Sequence, residues 1–174
     1  GLARSLAIFG GWNRGRLVYL EPGTARVAAE GFGLANGIVR LGEGELLVAD
    51  TLRASGRRFR DLGGGRLEEL PGAALPRGSD NLTLAPDGSV LVAAHANLLA
   101  LARRRHDPTR PAPTFVGRWR PKGPEGLEPV FADDGAGFGG ASVAVALPRG
   151  LLLGSPAGEA VGWIPLEDLF QDEH

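Results

Sequence analysis

The chain has 174 residues, 43% of them hydrophobic, and its 19 Lys and Arg against 20 Asp and Glu give a formal net charge of -1. That length and apolar content suit one folded domain with a real core and argue against disorder. The near-neutral balance lacks the basic excess of a nucleic-acid or anionic-membrane surface. The absence of cysteine excludes disulfides, zinc thiolate sites and cysteine nucleophiles, and no apolar run approaches the ~20 residues of a membrane helix.

Gly 28 and Pro 13 make up about a quarter of the chain against roughly an eighth in average usage. Such an excess predicts many turns, and therefore many short strands. The first predicted hairpin joins Arg16–Leu20 to Ala25–Ala29 through Glu21-Pro-Gly23. The second joins Gly37–Leu41 to Glu45–Asp50 through Gly42-Glu-Gly44. More polar strands follow at Gly56–Arg60 and Arg66–Leu70, around Gly63-Gly-Gly65. The third hairpin joins Leu82–Leu84 to Ser89–Ala94 through Ala85-Pro-Asp-Gly88, where proline presets φ and glycine accepts a positive φ.

Between Asn97 and Asp107, leucines at 98, 99 and 101 precede three arginines. Periodicity leaves a short helix and a long strand both open there. Pro108–Pro113 reads as a surface loop, and Thr114–Trp119 and Pro129–Ala132 as strands. The fourth hairpin joins Ser142–Ala146 to Leu151–Gly154 through Leu147-Pro-Arg-Gly150, and Val161–Ile164 is the last predicted strand. The last three hairpins align at Asn36, Asn81 and Ser142. Of their spacings, about 45 residues falls within the period of a four-stranded propeller blade, about 40–50 residues, and about 61 exceeds it. The expected fold is all-β: a single partial β-propeller over residues 1–174, with about three to four blades.

In such a fold the lead-ins to the inner strands converge on the central channel. Two of them present hard oxygen donors, Asn36 in one and Asp80 with Asn81 in the next. One carboxylate with two amide carbonyls suits Ca²⁺ better than zinc or copper. Ca²⁺ takes about six to eight oxygens, so water, substrate or other blades must complete the shell. Asn and Asp before glycine also serve as turn caps, but their recurrence at equivalent places in successive repeats favours the metal. His95, just after the third hairpin, is a candidate substrate contact or proton shuttle; a hydrogen-bonded core histidine is the alternative. His106 and His174 suggest no role. Arg57-Arg58 and Arg103–Arg105 read as solvated faces, since no aromatic residues are interleaved for base stacking.

Asp133-Asp134-Gly135 reads as a turn, because the spacing of an EF-hand loop is missing. Gly135–Gly140 has glycines loosely spaced like a dinucleotide loop but no predicted helix after it. No Gly-x-Ser-x-Gly elbow, His-Glu-x-x-His pair or P-loop occurs. The sequence begins at Gly1 and contains no methionine, which points to a processed chain or a piece of a longer one.

Val27–Ile38 resembles the segment leading to a calcium-binding asparagine in the paraoxonase/arylesterase family. Ser79–Gly88 resembles that family's Asp-Asn calcium pair with its following turn, and His95 falls where the family carries an active-site histidine. Phe131–Gly135, Ser142–Ala146 and Leu151–Ser155 resemble its closing blade. Strictosidine-synthase-like and gluconolactonase-like propellers are related. The resemblance implies a six-bladed ring with two calcium ions, one of them catalytic, and hydrolysis of aryl esters and lactones. It makes Asn36, Asp80 and Asn81 three ligands of the catalytic ion. The family's other ligands, a glutamate and an asparagine, and its histidine dyad lie in an N-terminal half without counterpart here. The expectation is therefore the C-terminal portion of an ester or lactone hydrolase, inactive alone until the missing N-terminal blades complete the site. Pro156-Ala157 stands where the family has aromatic residues. The resemblance favours the periplasm or secretion as the compartment, on which composition is silent. A non-catalytic binding propeller and a gluconolactonase-like sugar-lactone hydrolase are the alternative readings.

Overall fold

A computed structural model describes residues 14–123, 126–156 and 160–169; Ala157 and His174 lie outside them. The described chain is mostly strand, in four small antiparallel sheets. Strands β1 (Gly15–Glu21) and β2 (Thr24–Phe32) form a two-stranded sheet. Strands β3 (Ala35–Arg40), β4 (Glu45–Asp50), β5 (Ser55–Asp61) and β6 (Leu67–Ala74) form a four-stranded sheet in chain order. So do β7 (Ser79–Leu84), β8 (Val90–His95), β9 (Thr114–Trp119) and β10 (Glu128–Asp133). A three-stranded sheet of β11 (Val143–Leu147), β12 (Gly150–Gly154) and β13 (Val161–Pro165) follows. Up-and-down sheets of four strands, laid face to face, are the unit of a propeller; the fold is a partial one.

The sequence explains why the sheets stack. Every residue of β8 is buried, because the sheet it belongs to is covered on both faces. Val90 and Val92 pack with Leu47 and Ala49 of the preceding sheet and with Leu75, just past the end of its last strand. Leu91, between them in sequence, points the other way, to Ala144, Leu151 and Leu153 of the following sheet. A strand covered on both faces reads as a continuous apolar run, which is what Val90–Ala94 is. The innermost strands β3, β7 and β11 are neighbours in that order, so the lead-ins to all three meet at one end of the stack.

Two sequence expectations are sharpened. Among the described residues the first hairpin is its own two-stranded sheet and not part of a blade of four. Leu17 and Ala29 on one face pack onto Phe32, Val48 and Phe59, while Val18, Leu20 and Val27 on the other are exposed. Alternation marks a strand's buried face but not its place within a blade. The segment left open at Asn97–Asp107 is a helix, α1 (Leu98–His106). Asn97 caps it, its Oδ1 accepting from Leu99 N and Ala100 N, both at 3.0 Å, and Arg103–His106 complement the negative end of its dipole. The predicted turn at Pro86-Asp-Gly88 is present, with Gly88 at φ +79° and Ser89 N donating to Asp87 Oδ1 at 3.0 Å.

Candidate metal centre

The two innermost strands that carry the candidate ligands share one irregularity. Along β3, Ala35 pairs with Asp50 and the next pair is Ile38 with Val48, so Asn36 and Gly37 together oppose a single residue. Along β7, Ser79 pairs with Ala94 and the next pair is Leu82 with Val92, so Asp80 and Asn81 do the same. A bulge of this kind breaks the alternation of side chains and re-aims them. Asn36 and Asn81 are exposed and Asp80 is half-buried. The third lead-in differs, since β11 pairs with β12 without a break from Val143 onward.

The three lead-ins are in contact. A Cβ added to Gly37 would lie 2.8 Å from Leu82 N and 2.9 Å from Asn81 Cα, and closer still to the Asp80 carbonyl. The backbone of β3 thus abuts that of β7 at the bulges, and a glycine permits the approach. On the other side Asn81 N and Nδ2 both donate to the Ser142 carbonyl, at 3.1 and 2.9 Å. A carbonyl only accepts, so the amide's orientation is fixed and Asn81 Oδ1 is its outward end.

His95 sits beneath this row. It is 4% exposed, and its Nε2 faces Asp80 Oδ2 at 2.9 Å. Its backbone is held on both sides, by pairing with Thr114 of β9 and by donation from His95 N to the Gly78 carbonyl at 2.9 Å. Gly78 has φ +86° and would meet the His95 carbonyl with any Cβ. Two further residues that sequence reasoning passed over support the lead-ins. Asp50, fully buried, accepts from Gly33 N and Leu34 N at 2.9 and 3.1 Å and so holds the connection that delivers Asn36. Thr51 Oγ1 donates to the Ser79 carbonyl at 2.6 Å. A carboxylate ending the apolar strand Leu46–Ala49 was the only sequence signal for either.

The chain matches the arylesterase family over residues 5–161, a span that holds every strand from β1 to β12 and all the residues just described. It belongs to the arylesterase family. No curated protein matches it. The fold expected from the resemblance and the family thus agree, and the family is one of ester hydrolases, generally calcium-dependent.

The donor chemistry of this arylesterase-family chain fits such an ion. Asp80 offers one carboxylate; Asn36 and Asn81 offer amide oxygens, and Asn36 makes no side-chain hydrogen bond among the described residues. All three are hard donors. Among the described residues no group of three or more His, Cys, Asp and Glu side chains could hold a metal ion by itself, so the amide oxygens of Asn36 and Asn81 are needed beside the Asp80 carboxylate. The Asp80 oxygen Oδ2 is engaged by His95, which leaves Oδ1 for an ion.

The remaining candidates have other occupations. Asp133 Oδ1 accepts from Gly135 N at 2.6 Å and Asp134 Oδ1 from Ala136 N at 2.8 Å, so that segment is a turn. Gly135–Gly140 leads into β11 rather than a helix. Arg57 is bidentate to Glu69 at 2.7 and 2.8 Å and stacks on Phe32, and Arg58 pairs with Glu45. His106 is exposed at the end of α1. Among the described residues no helix is long and apolar enough to cross a membrane.

Proposed function

We propose that the protein is a calcium-dependent hydrolase of aryl esters, lactones or both, in which Asn36, Asp80 and Asn81 hold the catalytic ion. The observation that supports the reading is the matched pair of bulges at Asn36-Gly37 and Asp80-Asn81, which put oxygen-bearing residues on the abutting innermost strands of two successive blades. Bound there, calcium supplies a Lewis acid that polarises the ester carbonyl and stabilises the charge developing on its oxygen. The chain's own part is to supply and fix the donors. Asp80 brings the negative charge, Asn81 is locked through Ser142, and Asn36 is delivered by the connection that Asp50 pins. The rest of the shell and the base that activates water come from beyond these residues, in keeping with a protein whose N-terminal blades complete the site. His95, as substrate contact or proton shuttle, would have to act through its contact with Asp80.

Phenyl acetate and a lactone panel, assayed on full-length protein with and without chelator, test the reading. Turnover that disappears with calcium and returns on its addition is expected, as is a loss of more than ~100-fold in Asp80→Ala, given what one electrostatic donor is worth. Turnover that survives complete calcium removal overturns it. A protein that binds calcium and turns over neither substrate class is a non-catalytic binding propeller.

A further inference from the structure

We infer that His95 is a positioning residue for the calcium-binding carboxylate: its Nε2–H holds Asp80 Oδ2 and so presents Oδ1 alone to the ion. The inference rests on the calcium reading above and adds to it a role for a buried side chain.

Three observations carry it. His95 is 4% exposed and Asp80 16% exposed, with 2.9 Å between Nε2 and Oδ2. An ionised carboxylate at that distance only accepts, which assigns the ring proton to Nε2. The tautomer with its proton on Nδ1 would set a nitrogen lone pair against a carboxylate. Next, His95 Nδ1 is buried and has no partner among the described residues. A relay needs hydrogen-bond partners on both ring nitrogens, and the described residues supply one for Nε2 alone. Last, the ring's backbone is fixed by Thr114, Gly78 and the Ser79–Ala94 pair, so the donor is rigid before any ion arrives.

The physical consequence is a restricted carboxylate. Asp80 lies within a bulge, where the ladder that would otherwise fix its backbone is interrupted. A carboxylate free to rotate loses side-chain entropy on binding, whereas one already tied by Oδ2 has lost it in advance. Such outer-shell partners of metal ligands are worth about 10–100-fold in metal affinity.

The test is calcium affinity, measured by chelator competition on full-length protein, for Asp80→Ala, His95→Leu and His95→Gln. Leucine fills the buried slot without a donor; glutamine places an N–H near Nε2. The expected result is weaker binding in Asp80→Ala, binding about 10-fold or more weaker in His95→Leu, and recovery to within about threefold of wild type in His95→Gln. Unchanged affinity in Asp80→Ala defeats the calcium reading itself. Weakened Asp80→Ala with unchanged His95→Leu defeats only the positioning role. A His95→Gln protein that folds, by its melting temperature in chelator, yet binds as weakly as His95→Leu also defeats it, since the imidazole and not the donor would then matter. If His95→Leu does not fold, His95→Gln against wild type decides alone.

Discussion

Gly37→Ala probes the point where two blades meet. The added methyl would sit 2.8 Å from Leu82 N and 2.9 Å from Asn81 Cα, where ordinary contact begins at 3.4 Å, and nearer still to the Asp80 carbonyl. All three atoms are backbone, so no side chain can swing aside. Either β3 retreats from β7 or the bulge at Asp80-Asn81 shifts. Overpacking of this kind costs about 1–3 kcal/mol, which for a chain of this size lowers the melting temperature by roughly 2–4 °C per kcal/mol. Because the displaced atoms carry Asn36, Asp80 and Asn81, calcium affinity should fall as well. Gly42→Ala is the control: the same chemical change, with nothing within 4 Å of the new methyl, and an expected effect within about 0.5 kcal/mol. Thermal melts in chelator and calcium titrations of both variants decide it. If Gly37→Ala melts and binds calcium like Gly42→Ala, the blades do not approach at this point and the two-strand site is wrong.

Three other perturbations have defined outcomes. Asp50→Ala leaves Gly33 N and Leu34 N without their buried acceptor and should cost about 2–4 kcal/mol, read by urea denaturation; a cost under 0.5 kcal/mol would mean the carboxylate does not hold the connection. Glu69 is held below the ordinary carboxylate range, first by its hydrogen bond from Arg57. Its folded pKa is thus lower than its unfolded one, so its stabilisation is complete above about pH 4.3 and fades as pH falls through the folded value. The melting-temperature gap between wild type and Glu69→Gln should therefore close on acidification below that point; a gap that widens in acid contradicts the sign. Ala54, at φ 55°, holds a left-handed conformation that disfavours a side chain, so Ala54→Gly should raise stability by about 0.5–1 kcal/mol, and a lower melting temperature would argue against strain there.

The sequence by itself determined the local elements and the types of donor. Val90–Ala94, the turn at Pro86–Gly88 and the polar strands around Gly63–Gly65 were legible because each depends on residues a few positions apart. The cap at Asn97 was equally local, yet the helix it starts stayed open, because nine residues with leucines at three of the first four positions satisfy two periods. Asn36, Asp80 and Asn81 stood out as oxygen-rich lead-ins, and the family resemblance was legible in the same segments.

Only the tertiary structure decided how those donors are aimed and held. The bulges exist only once β3 and β7 are registered against their partners. The lock on Asn81 comes from Ser142, 61 residues away, and the pin on the Asn36 connection comes from Asp50 of another strand. The contact between His95 and Asp80 crosses from β8 to β7. Periodicity and turn chemistry act along the chain, whereas register and blade stacking act across it, through contacts that no window of sequence contains. Oxygen-bearing residues at equivalent positions are a property of the sequence; the approach at Gly37 and the hydrogen bonds that hold Asp80 and Asn81 are properties of the fold.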